Sequence, residues 1–549
     1  MSDSTPASLP DDLPDNLPDN FASQFELIAD LAPDRPAVLC GDRTLTWAEF
    51  DERADRLAGH LAAAGVRDGD RFGLAARNSP EYLVALHALF KVGATQVNIN
   101  YRYRAGEVRH LLASSGARGV IADADLVDVV TEAADGLPAC DVLVIVAPSG
   151  GFGPAADTAE RLPRRPRGDT EWLLYTGGTT GYPKAVTGRH AERLRAVRSG
   201  GLTALGLDPA DGMAALRRAL EIDPWGPGGV VALPAPPLMH GTGLYSALGA
   251  LAAGSPVALL PGRTTTGADL VAAIERHGVT EVTIVGDAFA LRLLDALDAA
   301  AAEGRAPLIP TLRRIRSVGA VWSPPVKRRL LAHADLSLHD TIAASEGGVY
   351  ALSVLTRADA EDGAGTFTLA PGARLLDHDD RDIRPDSDEI GMLAAPVVAG
   401  AGYEGDEEKT DAAFKDIDGV RYSIPGDMAR FGPGGRLVLL GRGSSVINTG
   451  GEKVYADEVE LVLRDHPAVR DAVVLGVPDP QWGSVVAAVV ALERGSTATE
   501  DELAGFVAQR LAGYKKPRRI ALVDEVRRLN TGKNDLNWAR SRFAAPAAR

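Results

Sequence analysis

The chain has 549 residues, 45% of them hydrophobic and 24% charged, which is long enough for more than one core and ordinary for a globular protein. A net charge of −16 argues against a nucleic-acid binder driven by phosphate contacts. No apolar run reaches the ~18 residues that span a bilayer, and two cysteines, Cys40 and Cys140, without a Cys/His cluster fit neither a disulfide framework nor a zinc site, but do fit a reducing cytoplasm. The N-terminus has no basic stretch followed by an apolar one, so no secretory signal is expected. Instead, residues 1–34 carry eight acids (Asp3, Asp11, Asp12, Asp15, Asp19, Glu26, Asp30 and Asp34) and no Lys or Arg. The repeat LPDDLPDNLPDN within them cannot bury a core, and residues 1–20 read as a disordered acidic leader.

From residue 46 the pattern becomes regular. TWAEFDERADRLAGHLAAAG places Thr46 and Glu49 at capping-box spacing, with Phe50, Ala54, Leu57 and Leu61 as its apolar stripe and Gly65 at its end. DRFGLAA reads as a strand, and SPEYLVALHALFKVGA as a helix with Ser79 as N-cap and Pro80 at the first helical position. ATQVNIN is a strand again, so a β-α-β unit and a parallel sheet are predicted. The alternation recurs at RGVIAD, DVLVIVA, SPVALLP, GADLVAAIERHG and EVTIVGD. Near Gly441 the texture changes: EKVYADEVELVLRDH reads as a helix, DAVVLGV and VVAAVVAL as strands, DELAGFVAQRLAG as a helix and RRIALVDEV as a strand. That is a compact α+β unit of about a hundred residues.

One loop carries chemistry by its composition. YTGGTTGYPKAV follows an apolar strand. Gly177, Gly178 and Gly181 let backbone N–H groups approach an anion, Thr176, Thr179 and Thr180 add hydroxyls, and Lys184 adds charge. It is not a Walker loop, because Tyr182 and Pro183 separate Gly181 from Lys184.

This loop resembles the signature of the adenylate-forming superfamily, which contains the acyl- and aryl-CoA synthetases, peptide-synthetase adenylation domains and firefly-type luciferases. The usual form is Tyr-Thr-Ser-Gly-Thr-Thr-Gly-x-Pro-Lys-Gly, from which Gly177 and Ala185 depart. Five further motifs follow in the family's order: PPLMHGTG, AASEGG, YSIPGDMARF, GRGSSVINTGGEKVYADEVE and RRLNTGKNDLNWAR. The resemblance covers roughly Phe21 to Arg540. Together with VNINYRY and VGDAFA, its wording is most similar to bacterial fatty-acyl and steroid-side-chain CoA synthetases.

The resemblance implies an α/β fold. A large adenylation domain at 21–441, with parallel sheets, helices and a β subdomain, would be joined through a hinge at 441–444 to a small mobile α+β lid at 444–549. It implies ATP-dependent, AMP-forming activation of a carboxylic acid and transfer to the CoA thiol, with ATP, magnesium and CoA in use. By its motifs Lys533 is the catalytic lysine, His240 lies beside the acyl pocket, and Glu346 helps hold magnesium. Thr176 to Gly181, Lys184, Gly319, Ser345, Asp427, Arg442 and Lys453 face the nucleotide or CoA phosphates. Taken alone, His240 reads as a structural histidine ahead of a site residue, and Lys453 is equally a surface lysine.

Several positions depart from the family. Ile342 stands where an aromatic is usual, Ala343 replaces a glycine, Ala344 and Gly347 stand where the similar acyl-CoA synthetases usually have Ser and Thr, and Ser444 takes the place of the hinge Asp or Lys. The changes at Ala343, Ala344 and Gly347 leave open an altered acid or acceptor: nitrite with an aryl amine, another amine, or a carrier protein. A non-catalytic nucleotide-binding protein is the remaining alternative. Leu238, Leu244, Phe289 and Val349 read as core positions. A homodimer is common in the family, and no heptad pattern supports one here.

Overall fold

The computed structural model describes residues 16–176, 183–260, 262, 265–305, 308–359, 366–397, 400–442, 446–449, 452–479, 482–529 and 532–543, without the side chains of 442, 448, 452, 453 and 483. The chain forms two compact units. The first comprises Met1–Ile284, Ala296–Ile315 and Gly400–Thr410; the second comprises Val285–Asp295, Arg316–Ala399 and Asp411–Arg549.

Local signals account for much of the first unit. Thr46 and Glu49 form both hydrogen bonds of a capping box on the helix Trp47–Ala63. Ser79 caps Pro80–Val92, which ends on left-handed Gly93. The strands Thr95–Asn98, Arg71–Ala75, Gly119–Asp123 and Val142–Val146 make a parallel sheet in that order. In a second sheet, Glu281–Ile284, Ala232–Pro234, Val257–Leu259 and Pro36–Cys40 run parallel, and Arg43–Thr46 pairs antiparallel with the last. Glu171–Thr176 and Lys184–Arg189 form a separate antiparallel hairpin.

The core beside these sheets is rich in rings. Phe21, Phe25, Trp47, Phe50, Phe90 and Trp172 are all buried. His190 sits among them, edge-on to Phe90 at 4.7 Å, to Phe21 at 5.3 Å and to Trp172 at 5.9 Å. Its Nδ1 is buried without a hydrogen-bond partner. Burial therefore pushes the His190 pKa down to about 3. An unfolded histidine titrates near 6.5, so between these values the unfolded chain takes a proton that the folded chain refuses. Stability is complete above pH ~6.5 and falls as the pH drops toward 3, at about 1.4 kcal/mol per unit. Urea unfolding should show a loss of about 2 kcal/mol from this residue between pH 7 and 5, and His190→Phe should flatten that part of the profile.

A second buried cluster is fully charged. Lys91 is 0% exposed, and its Nζ lies 2.8 Å from Glu26, 2.8 Å from Asp51 and 2.7 Å from Asp55. Arg167, whose side chain is buried, and Arg164 and Arg161, nearer the surface, pair with the same three carboxylates. These acids have the spacing of a metal site, but the Lys91 ammonium already fills their centre.

In the second unit Ser337–Ala343, Val349–Leu355 and Thr368–Leu369 pair antiparallel. A six-stranded antiparallel sheet runs Phe414–Ile417, Val420–Ser423, Ile390–Pro396, Asp427–Phe431, Leu437–Arg442, with Arg374–Leu376 also on Ile390–Pro396. The C-terminal α+β layer pairs Val469–Asp479 with Gly483–Leu492 and that strand, in parallel, with Arg519–Val523. Helices Ala456–Arg464 and Glu500–Ala508 pack on it through Val459, Leu463, Leu503 and Val507.

The helix expected from Glu452 begins only at Ala456. Glu452–Tyr455 is instead a strand paired with Val446–Thr449. The β-branched run Val446, Ile447 and Thr449 offers a ladder, and pairing with it overrides the helical propensity of Glu-Lys. Among the described residues no helix is long and apolar enough to cross a membrane, and Cys40 and Cys140 are free thiols.

Candidate active site

The sequence-predicted residues fall in both units, and each group is built by its own local structure. In the first unit the antiparallel hairpin carries Thr176 and Lys184, the two described residues of the glycine- and threonine-rich motif. Thr176 is the last residue of one strand and pairs in register with Lys184, the first residue of the other. Gly177, Gly178, Thr179, Thr180 and Gly181 lie outside the described residues. Trp172, Leu173 and Leu174 are buried on both faces of the strand and fix its position.

Asn98 clamps the end of that strand. Its Oδ1 accepts from the Tyr175 N–H at 2.7 Å, and its Nδ2 donates to the Tyr175 carbonyl at 2.9 Å and the Met239 carbonyl at 2.8 Å. One buried carboxamide thus ties the strand before the loop to the residue before His240. Gln96 repeats the device two residues earlier, donating to the Leu173 carbonyl at 2.9 Å. No role was read for Asn98 from sequence. The available signal was a polar amide inside the buried strand of VNINYRY, since a buried amide must find partners.

His240 is the N-cap residue of the helix Gly241–Ala252 and is part-buried. The turn before it is held by Asn78, which accepts from the Leu238 N–H and donates to the Pro236 carbonyl, and by the Tyr82 hydroxyl on the Leu238 carbonyl. Gly243 is needed for this approach, because a Cβ there would lie 2.5 Å from the Pro237 carbonyl oxygen. Lys184 is ion-paired with Asp406, and Lys409 stands 4.0 Å from the same carboxylate. Both ammonium groups share this carboxylate, and the charge of Glu408 also acts on Lys184, so the described charges around Lys184 balance.

In the second unit Ser345 and Glu346 sit in the turn Ala344–Gly348 between two antiparallel strands. The register shifts between Ile342 and Ala343, at the residues that depart from the family pattern. Tyr350 anchors this turn. Its buried hydroxyl donates to the Gly347 carbonyl at 3.1 Å and lies 2.8 Å from Ser423 Oγ. Ser423 ends the strand just before the segment that leads to Asp427. Asp427 opens the next strand and pairs in register with Arg442, the last residue of its neighbour, so the structure brings these two backbones together. Gly319 follows the strand Arg314–Val318 with φ of 97°.

Lys453 pairs with Asn448 in the two-stranded ribbon. Gly450, Gly451 and Ser444 lie outside the described residues. Lys533 is exposed, on a turn in which its carbonyl accepts from the Leu529 N–H at 2.8 Å. Leu238, Leu244 and Phe289 are core residues as expected, whereas Val349 is 41% exposed because it opens a strand at the turn.

A family model described as AMP-binding enzyme matches residues 25–395, and one described as AMP-binding enzyme C-terminal domain matches 458–533. The chain is 37% identical over 528 residues to the 3-oxocholest-4-en-26-oate–CoA ligase of Rhodococcus rhodochrous, covering 93% of each chain. It is 37% identical over 533 residues to a medium/long-chain-fatty-acid–CoA/3-oxocholest-4-en-26-oate–CoA ligase of Mycobacterium tuberculosis, covering 94% of this chain and 95% of that one. Among solved structures, the anthranilate CoA ligase AuaEII in complex with anthranoyl-AMP superposes with a TM-score of 0.80 at 21% identity, over 96% of this chain and 98% of that one. This last likeness is one of fold.

Proposed function

The chain belongs to the AMP-binding enzyme family, and from that premise we propose that it is an ATP-dependent, AMP-forming ligase that joins a long apolar carboxylic acid to the CoA thiol. The observation that carries this reading is the 37% identity, over more than nine-tenths of both chains, to ligases named for medium- and long-chain fatty acids and a steroid side-chain acid.

In the first step a carboxylate oxygen attacks the α-phosphorus of ATP and pyrophosphate leaves, giving the acyl adenylate. In the second the CoA sulfur attacks the acyl carbon and AMP leaves. Positioning and charge stabilisation supply most of the catalysis. Lys184, Thr176 and the loop after it are suited to the β- and γ-phosphates, since they offer backbone N–H groups, hydroxyls and a cation. Asp427 can accept from both ribose hydroxyls, with Arg442 paired beside it. Ser345 and Gly319 are assigned to the nucleotide, His240 to the acyl group and Lys453 to the CoA phosphates, all by family likeness. Lys533 is assigned to the carboxylate and α-phosphate, where its ammonium would offset developing negative charge.

Glu346 fits magnesium by its chemistry. It is a hard oxygen donor, part-exposed on a turn braced by Tyr350, and magnesium commonly takes one or two carboxylates with substrate phosphates. When bound, the ion neutralises phosphate oxygens. The lid at 444–549, its hinge at 441–444, a homodimer and a cytoplasmic setting belong to the same reading, supported by the family likeness.

The test is AMP and pyrophosphate release with ATP, magnesium and a panel of dodecanoate, palmitate, a steroid side-chain acid, benzoate and nitrite with an aryl amine, each with and without CoA. CoA-dependent AMP release with the long apolar acids is expected. Turnover that ignores CoA and needs nitrite with the amine would reassign the acid and acceptor, as the departures at Ala343, Ala344 and Gly347 allow. Absence of AMP with every acid would mean either an acid outside the panel or a protein that only binds nucleotide, which a nucleotide-binding titration and a wider panel separate.

A further inference from the structure

The turn that carries Lys533 is fastened at both ends to a buried charge network. Arg528 and Asn534 form an antiparallel bridge across its base. The Arg528 guanidinium meets Asp471 at 2.5 Å and also donates to Asn534 Oδ1. The Asn534 Nδ2 donates to Glu460 Oε1 at 2.9 Å. Both ends of this one carboxamide are therefore used, and its orientation follows from its neighbours, a guanidinium that can only donate and a carboxylate that accepts.

Glu460 is 2% exposed and is itself held by the Val474 N–H at 2.8 Å and by Arg464 at 3.2 Å. Arg464, also buried, reaches Asp471 at 3.3 Å and Asp287 at 3.4 Å. Gly532 completes the arrangement with φ of 81°, and a Cβ there would lie 3.0 Å from Val285 Cγ1. The residue before Lys533 is thus pressed on an apolar wall, and the residue after it is tied to a buried carboxylate.

We propose that Asn534 is a positioning residue for Lys533: by bridging Arg528 and Glu460 it fixes the direction in which the neighbouring ammonium leaves the turn. A residue adjacent to Lys533 can do this because the two share a backbone, and fixing that backbone fixes the point from which the lysine side chain starts. The inference rests on the assignment of Lys533 to adenylate formation. It adds a residue that acts through its neighbour, by its bonds to Arg528 and Glu460.

The experiment compares wild type, Lys533→Ala, Asn534→Ala and Asn534→Asp in the two half-reactions, using the acids of the panel above and their synthetic adenylates. Hydrogen exchange of the 527–540 peptide gives a readout independent of substrate. Asn534→Ala should slow adenylate formation about 10- to 100-fold, the range for a misplaced catalytic group. It should speed exchange in the peptide and leave CoA transfer from supplied adenylate and the Tm unchanged.

Asn534→Asp keeps the shape but sets a second carboxylate against Glu460, among Asp457, Asp471 and Asp287 on one side and Arg464 and Arg528 on the other. Burial already raises Glu460 to about 7. The variant should approach wild-type adenylation at low pH, where the pair shares a proton, and fall away as pH rises. Asn534 variants with wild-type exchange and wild-type adenylation overturn the proposal, as does equal damage to both half-reactions with a lowered Tm, which would mark a structural role only. If Lys533→Ala itself adenylates normally, it is the assignment of Lys533 that fails.

Discussion

Replacing Lys533 by alanine is expected to slow adenylate formation by about 10²–10³-fold, the usual cost of losing one charged contact to a developing negative charge. Two features make the loss chemical and not structural. Lys533 is exposed, and truncating an exposed side chain ordinarily changes stability by less than about 0.5 kcal/mol. The turn is held by its backbone and by Arg528 and Asn534, which the substitution leaves in place. The measurement is single-turnover formation of adenylate beside transfer from supplied adenylate to CoA. The first should collapse, and the second and the Tm should hold. A variant that loses both steps together would place Lys533 outside the adenylation step.

The largest stability effect is expected from Lys91→Met, which should destabilise the protein by about 3–5 kcal/mol. The ammonium is 0% exposed and serves three buried carboxylates from two helices. Removing it leaves those charges without a central partner, and the three arginines around them, one to each carboxylate, do not replace it. By contrast, Arg164→Ala at the rim, where the side chain is 41% exposed, should cost no more than about 1 kcal/mol.

The same cluster sets an acid limit. Burial pushes the Asp51 carboxyl up, but the hydrogen bond from His87 and the charge of Lys91 outweigh it and hold the group well below the usual carboxylate range. Glu26 is likewise held low: burial raises it, and Arg167 and Lys91 more than offset this. A depressed carboxyl contributes stability above its unfolded pKa, near 4, and loses it as pH falls further. Urea unfolding of Lys91→Met should therefore show lower stability at pH 7 and a shallower decline below pH 4 than wild type. A doubly changed Lys91→Met/Asp51→Asn chain should recover part of the loss, because a neutral pair costs less to bury.

What the sequence determined by itself was whatever depends on neighbours within a turn or a strand. Thr46 with Glu49, and Ser79 with Pro80, announced their helices because a cap and its N–H groups lie three residues apart. The parallel sheet followed from the alternation of those helices with apolar strands. The phosphate-type loop was legible from its glycines, threonines and Lys184, and the other site positions from the family likeness of their motifs. The strand at Glu452–Tyr455 was missed because its partner, Val446–Thr449, decides its state and its own propensity does not.

Only the tertiary structure decided which polar residues brace those motifs. Asn98 meets Tyr175 across 77 residues, Asn534 meets Glu460 across 74, Lys91 meets Glu26 across 65 and Lys184 meets Asp406 across 222. None of these pairs has a local signature. A buried amide or ammonium is tolerated only where the fold supplies a partner, and that partner is chosen by how distant elements pack and not by the residues on either side.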